Sequence, residues 1–280
     1  LRGTGVTVVT GQVVNNTAVT TLRAEAYTIP SLNQSVGLVI LAGTVANTHT
    51  GGVDVTGGVL QNNMAASLAP LGTSAGNLQF NGNGFFQSAV NLFGANKLPN
   101  PVGFGNGTSD ASNGVNVNGI NVTFDSTFGL SGSTTSRTFT FGGTGNVTVA
   151  GIVGDNGGTT TGGAGTLVKN GSGTLTLQSA NVFEGSLTIN AGTLNAANIG
   201  TGANQLGANV FNMGGGSLSS IKADATASTQ TYASSTLTAN TSTRVTLSTA
   251  ASGSQTFNLV TTTAAITRNA ASTVDFILSG

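Results

Sequence analysis

Apolar and polar residues alternate in short segments along residues 165–194, and glycine or asparagine separates one segment from the next. Three times a Gly-Thr or Gly-Ser pair precedes such a segment. Alternation with a period of two is typical of a β-strand that buries one side. The side chains predicted to point inward are Leu175, Leu177, Leu187 and Ile189. Strands this short cannot bury their apolar sides alone, so they are expected to stack on neighbouring strands of the same kind.

A similar alternation is found on both sides of this stretch. Residues 137–154 place phenylalanine and valine on one side of the chain, and residues 228–249 continue in strands rich in threonine and serine. We therefore predict an all-β fold, a parallel β-helix or β-solenoid, over residues 113–280. Irregular coils of the same solenoid are predicted over residues 1–61.

Residues 62–112 lack this regularity, and we predict there a loop and short-helix insertion that packs on the solenoid or projects from it. Residues 62–69 suit two helical turns, whereas residues 85–93 suit either a short amphipathic helix or a buried strand. Pro99 and Pro101 indicate an ordered loop, because paired prolines cannot lie inside a sheet.

The composition narrows the possible partners. Only 6% of the 280 residues are charged, and eight basic and eight acidic residues give a net charge of zero. No basic cluster is present to neutralise phosphates, so we predict no nucleic-acid partner. The longest apolar run, residues 36–42, is too short to cross a bilayer, so we predict a buried strand there and no membrane insertion by this segment. Cysteine is absent, which suits a secreted protein that is stable without disulfides.

Catalytic chemistry has little support in the sequence. Parallel β-helices that act on polysaccharides need acids gathered on one face, and here the acids are isolated. Asp110 and Asp125 are the one pair that we consider for such a site, and we expect the acids to be solvated turn residues. His49, the single histidine, is expected in a surface turn and supports no Ser-His-Asp arrangement. A structural zinc site would need several Cys or His residues, so we predict no catalytic residue, no metal and no cofactor.

Residues 165–194 read GTLVKNGSGTLTLQSANVFEGSLTINAGTL. This segment resembles the autotransporter-associated β-strand repeat, or passenger-associated transport repeat, of secreted passenger domains and very large surface proteins of diderm bacteria. The resemblance covers about residues 136–280 and is strongest at residues 165–194. It implies an extracellular or outer-cell-surface β-solenoid with a structural function.

The leading hypothesis is therefore a non-enzymatic structural solenoid that builds a fibre, a filament or an adhesin shaft. The chain starts and stops within strand-rich sequence, so the expected partners are further copies, joined head to tail or by strand donation, or covalently continuous flanking repeats.

Two alternatives remain open at this point. The first is an adhesin module that binds a surface glycan through a projecting loop such as residues 85–105. Its exposed aromatic side chains would have to be phenylalanine, because tryptophan is absent and the two tyrosines, Tyr27 and Tyr232, lie elsewhere. The second, with less support, is a polysaccharide-degrading enzyme.

Overall fold

The computed structural model describes residues 2–3, 6–15, 21–26, 28–29, 34–35, 37–104, 112–132, 134–197, 202–203, 206–207, 210–222, 226–249, 253–260 and 266–279. The described strands of the first half are β1 (Arg2–Gly3), β2 (Val6–Val9), β3 (Leu22–Ala26), β4 (Thr28–Ile29), β5 (Gln34–Ser35), β6 (Leu38–Leu41), β7 (Val53–Val55), β8 (Gly58–Asn62), β9 (Leu78–Phe80), β10 (Gly84–Ser88), β11 (Val102–Phe104), β12 (Ser112–Asn116), β13 (Asn121–Phe124), β14 (Phe128–Gly129) and β15 (Arg137–Gly142). Those of the second half are β16 (Asn146–Val149), β17 (Val153–Gly154), β18 (Gly165–Lys169), β19 (Thr174–Leu177), β20 (Ser186–Ile189), β21 (Thr193–Ala196), β22 (Gly202–Ala203), β23 (Val210–Met213), β24 (Ser217–Lys222), β25 (Ala227–Thr231), β26 (Ser234–Leu237), β27 (Ser242–Thr249), β28 (Ser254–Asn258), β29 (Ile266–Arg268) and β30 (Thr273–Ser279). Short turns of 3-10 helix are formed by Ala66–Leu68, Gly94–Asn96 and Asn156–Gly158.

Three parallel sheets run along the molecule. Sheet I has eleven strands, in the order β2-β6-β8-β10-β12-β15-β18-β20-β23-β26-β29. Sheet II has the order β13-β16-β19-β21-β24-β27-β30, and sheet III has the order β1-β3-β7-β9-β11-β14-β17. In the last coils the short sheet β22-β25-β28 takes the place of sheet III, while β4 and β5 form a separate antiparallel pair. From β12 onward the strands follow the three sides in turn, except that an isolated bridge, Asn181 to Leu206, stands in place of a third strand between β19 and β20. This is the path of a parallel β-helix, so the predicted all-β solenoid is confirmed.

The register between coils stacks like side chains into columns. Leu167 pairs with Leu187, and Leu175 pairs with Leu194, so each inward leucine lies above another one. The four side chains predicted to point inward are all at most 1% exposed: Leu175, Leu177, Leu187 and Ile189. Their burial follows from alternation, because every second residue of a strand faces the same side.

Residues 62–112 differ from the insertion that the sequence predicted. In the described part of this segment, β9 and β11 are members of sheet III and β10 is a member of sheet I. Each strand is short, yet hydrogen bonds to a coil on either side complete its ladder. Of the alternatives left open for residues 85–93, the strand is observed at Gly84–Ser88, whereas residues 62–69 contain one 3-10 turn in place of two helical turns.

Phenylalanine fills the core of these middle coils. The ring centroid of Phe139 lies 5.1 Å from that of Phe80, 5.0 Å from that of Phe128 and 5.1 Å from that of Phe141. The contacts with Phe80 and Phe128 are edge-to-face, the arrangement that the ring quadrupole favours. All four rings are at most 1% exposed. The middle coils are therefore held together by a continuous aromatic cluster.

A buried lysine closes one corner of the repeat at residues 165–194. Lys169 is 2% exposed, and its Nζ donates to the carbonyl oxygens of Asn170 at 2.8 Å, Gly171 at 2.8 Å and Ala191 at 3.3 Å. Burial lowers the pKa of Lys169 to about 8. The side chain thus supplies a donor to carbonyl groups that leave the ladder where the chain turns.

Candidate functional site

The outer face of sheet II is a regular array of small polar side chains. In β13, β16 and β19 every second residue is a buried apolar one, and the residues between these face outward. Register places the outward residues of successive strands side by side. The outward pairs are Asn121 with Thr123, Asn146 with Thr148, Thr174 with Thr176, Thr193 with Asn195, and Ser217 with Ser219.

Hydrogen bonds between coils orient part of this array. Asn146 Nδ2 donates to Asn121 Oδ1 at 2.9 Å, and the backbone N–H of Thr174 donates to Asn146 Oδ1 at 3.0 Å. The amide of Asn146 is therefore held in one orientation by the coils on both sides of it. We call the array of outward side chains the polar face.

At one end of sheet II the chain leaves the plane of the sheet and returns to it. Leu92 bridges to Val122, and Leu98 bridges to Phe124, although Val122 and Phe124 have a single residue between them. The N–H groups of Leu92 and Leu98 donate to the carbonyls of Asn121 and Thr123, both at 2.8 Å. Five residues, 93–97, consequently project from the sheet. We call these residues the wall.

The wall is anchored in the core and shaped by its sequence. Leu92 and Leu98, which flank it, are both 0% exposed. Between them Gly94 adopts φ +63° and starts a 3-10 turn, a left-handed conformation that glycine adopts without steric cost. The backbone of this region is thus an ordered projection on a fixed base.

The wall presents an aromatic ring and a cation to the polar face. Phe93 is 51% exposed, which is unusual for a large apolar side chain in a protein with a full core. Lys97 Nζ forms an ion pair with Asp125 Oδ2 at 2.6 Å. Wall and face together enclose a groove of about 450 Å³, lined by Phe93, Gly94, Lys97, Asn121, Thr123, Asp125, Asn146, Thr148, Ala150 and Gln178.

The acids considered from the sequence are not brought together among the described residues. Asp110 lies outside the part of the chain that the structure describes, so the proposed pairing with Asp125 has no geometry to report. Asp125 lies in the groove and is the single carboxylate among the groove's lining residues, where Lys97 neutralises it. Hydrolysis of a glycosidic bond ordinarily uses two carboxyl groups across the substrate.

His49 is not in a surface turn, as the sequence predicted, but fully buried at 0% exposure. Its backbone carbonyl accepts from the N–H of Thr73 at 2.9 Å, which ties it to the next coil. Burial lowers the pKa of His49, so the neutral ring is the form that the core favours. Backbone hydrogen bonds with Val13 and Gly52 favour the charged ring and partly oppose the effect of burial on the pKa of His49.

Asp155 departs from the expectation that the acids are solvated, because it is 0% exposed. Its Oδ1 accepts from the N–H of Gly165 at 2.6 Å, and its Oδ2 accepts from the N–H of Glu184 at 3.2 Å. Burial raises the pKa of Asp155, against the opposing effect of these two donors. By accepting these two hydrogen bonds, the carboxylate links the loop after β17 to β18 and to the following coil. Its role is therefore structural.

Within the described ranges, no group of three or more His, Cys, Asp or Glu residues has an arrangement that would hold a metal ion. None of the described helical turns has the length and apolarity of a membrane span. Neither Phe93 nor Lys97 was singled out by sequence reasoning. The signal that pointed toward Phe93 was the requirement that any exposed aromatic residue of residues 85–105 be phenylalanine.

Comparison with protein families gives two matches along the chain. Residues 37–61 and 167–196 match the family model of the passenger-associated transport repeat. The second segment is the one whose pattern suggested the resemblance, whereas the first lies among the coils predicted to be irregular. Over these two segments the chain is therefore similar to a passenger-domain repeat of autotransporters, a repeat of a non-catalytic type. No curated protein and no solved structure matches the chain.

Each matched segment contains at least one full turn of the solenoid. In residues 37–61, Leu38 pairs with Val59, and in residues 167–196, Leu167 pairs with Leu187, in both cases within sheet I. The glycine and valine residues at positions 51–59 were a usable signal for the first segment.

Proposed function

We propose that this chain is a non-enzymatic structural section of a secreted or cell-surface passenger domain, in which it forms a stiff shaft. The observation that supports this proposal is sheet I, whose eleven strands follow one another without a break in their pairing. At about 4.8 Å between strands, sheet I is about 50 Å long. Such a sheet holds whatever is fused to it at a fixed distance from the cell.

Small-angle X-ray scattering of the purified chain tests the shape. The expected distance distribution is that of an elongated particle, with a tail that reaches the length of sheet I. A compact, isotropic distribution would contradict a shaft. Antibody labelling of intact producing cells tests the location, and labelling that requires permeabilised cells would contradict a surface or secreted protein.

The absence of enzymatic activity is part of the same proposal. Its support is the single, ion-paired carboxylate in the groove and the non-catalytic type of the matched repeat. Turnover of a polysaccharide that disappears in Asp125→Asn would contradict it.

A second candidate function is binding, as in an adhesin. The wall favours it, because a projection that exposes Phe93 has no part in stacking one coil on the next. This function is compatible with the shaft, since the polar face lies on the outside of the solenoid.

Assembly with further copies, or with flanking repeats, stays a prediction. The side chains that an additional coil or copy would cover include Phe276, Ile277 and Leu278 of β30, which are 46%, 38% and 78% exposed. Static light scattering over a range of protein concentrations measures it. A mass that remains that of one chain at every concentration would contradict assembly of this section by itself.

A further inference from the structure

We infer that the polar face binds a neutral, extended polysaccharide of the β-1,4-linked type, which lies along the solenoid axis with one sugar ring stacked on Phe93. This inference rests on the binding role proposed above and is independent of the shaft. It assigns Phe93 as the stacking residue and the outward side chains of β13, β16 and β19 as the hydrogen-bonding residues.

The spacing of the polar face suits an extended chain of sugar rings. Neighbouring strands of a sheet lie about 4.8 Å apart, so the face repeats at about the length of one pyranose ring in an extended glycan. Each repeat offers hydroxyl or amide groups, which both donate and accept. A sugar hydroxyl also does both, so successive rings meet successive, chemically similar partners. A coiled glycan would leave this row after one or two rings.

The charge of the groove selects a neutral ligand. Among its lining residues, Lys97 and Asp125 are the charged ones, and they form an ion pair with each other at 2.6 Å. The remaining polar lining consists of Asn, Thr and Gln side chains. An anionic polymer would lose the hydration of its carboxylates without gaining an unpaired cation, because Lys97 is already engaged.

Phe93 gives the groove an apolar platform at one end. Its ring is 51% exposed, while Leu92 beside it is 0% exposed, so the backbone fixes the place from which the ring projects. The axial C–H groups of a β-linked pyranose form an apolar patch that packs on an aromatic ring. The groove volume of about 450 Å³ falls within the range of small-molecule sites. A few sugar rings would occupy it while the rest of the polymer continues along the face.

Isothermal titration calorimetry with cellohexaose, β-1,4-mannohexaose and chitohexaose tests the inference, with hexagalacturonate as the anionic comparison. We expect at least one neutral hexasaccharide to bind, and Phe93→Ala to weaken that binding about tenfold, as the loss of a central aromatic contact commonly does. The double variant Asn146→Ala/Thr148→Ala is expected to weaken it by a similar factor. Thr140→Ala is the matched control, because Thr140 faces outward from β15 in sheet I, outside the groove.

A change of charge makes a second, independent test. In Asp125→Asn, Lys97 loses its partner and becomes a free cation beside the face. Hexagalacturonate is then expected to bind this variant at least threefold more tightly than it binds the unaltered chain. The gain in affinity should shrink as salt is added, because salt screens the charge of Lys97.

The inference is overturned if no neutral hexasaccharide binds at millimolar concentration, or if hexagalacturonate binds the unaltered chain equally well. It is also overturned if Phe93→Ala binds as tightly as the unaltered chain or if Thr140→Ala loses as much affinity. A concentration-dependent dimer that disappears in Phe93→Ala would assign the wall to a second copy of the chain. Small-angle scattering separates the glycan site from the shaft. An unaltered chain that is elongated but binds no hexasaccharide contradicts the glycan site alone, whereas a variant that loses binding and keeps the elongated profile supports it.

Discussion

Two coils of this solenoid both pair in sheet I and differ at their corners. In the coil that starts at β18, twenty residues separate Leu167 from its partner Leu187, and residues 170–173 and 178–185 connect its strands. In the coil that starts at β10, twenty-nine residues separate Phe85 from its partner Gly114, and five of them form the wall. Pairing in sheet I is maintained in both. The inward columns thus decide the fold, whereas the length of the corner is free to vary and to acquire a function.

The largest effect is expected in the regular coil, at Leu177. Leu177→Asp would place an unpaired carboxylate in the core and should lower the free energy of unfolding by about 5 kcal/mol. Thr176→Asp is the matched control, because Thr176 faces outward from the same strand, and its effect should stay within about 0.5 kcal/mol. Urea unfolding followed by circular dichroism measures both. Equal effects of the two changes would contradict the assigned inward side.

The middle coils should depend on their aromatic cluster to a similar degree. Phe139→Ala removes edge-to-face contacts with Phe80 and Phe128 and should cost about 4 kcal/mol in the free energy of unfolding. The double-mutant cycle with Phe128→Ala should show coupling of about 1 kcal/mol, as expected for neighbouring rings. Additive effects would mean that the two rings do not share a contact in solution.

Alternation was sufficient to predict the regular coil and insufficient for the walled one. The burial of Leu175 and Leu177 follows from their own strand. The burial of His49 depends on another coil, since a Cβ at Gly72 would come within 2.7 Å of His49 Nε2. Which phenylalanine of residues 85–105 is exposed depends on the pairing of Leu92 with Val122, thirty residues away. Contacts between residues so far apart are set by coil length, which composition and local pattern do not determine.

The stability of the early coils should decrease in acid because of His49. Burial lowers its pKa in the folded state, so below about pH 6.5 the unfolded chain binds more protons than the folded chain. Stability should therefore fall as the pH falls, by at most about 1.4 kcal/mol per pH unit from this group. Urea midpoints at pH 7.5 and pH 5 measure the change, with His49→Leu as the comparison. If both proteins lose the same stability on acidification, His49 is not the group responsible.

A gain of stability is expected at Tyr232 in the later coils. This side chain is 0% exposed, and its hydroxyl has no hydrogen-bond partner among the residues that the structure describes. Its ring stacks on Phe211 at 5.1 Å, an interaction that phenylalanine would keep. Tyr232→Phe should therefore raise the free energy of unfolding by about 1 kcal/mol, because a buried unpaired hydroxyl is removed. A loss of more than about 0.5 kcal/mol in thermal or urea unfolding would indicate that the hydroxyl has a partner in solution.

The central claim is that the wall is added to a continuous solenoid and is not needed for its fold. Replacing residues 93–97 by one threonine tests this claim most directly, because Leu92-Thr-Leu98 would then match Val122-Thr123-Phe124 residue for residue. Urea unfolding of this variant should show a single transition with a midpoint equal to or above that of the unaltered chain. A clearly lower midpoint, or an unfolded variant, would contradict the claim and make the wall part of the fold.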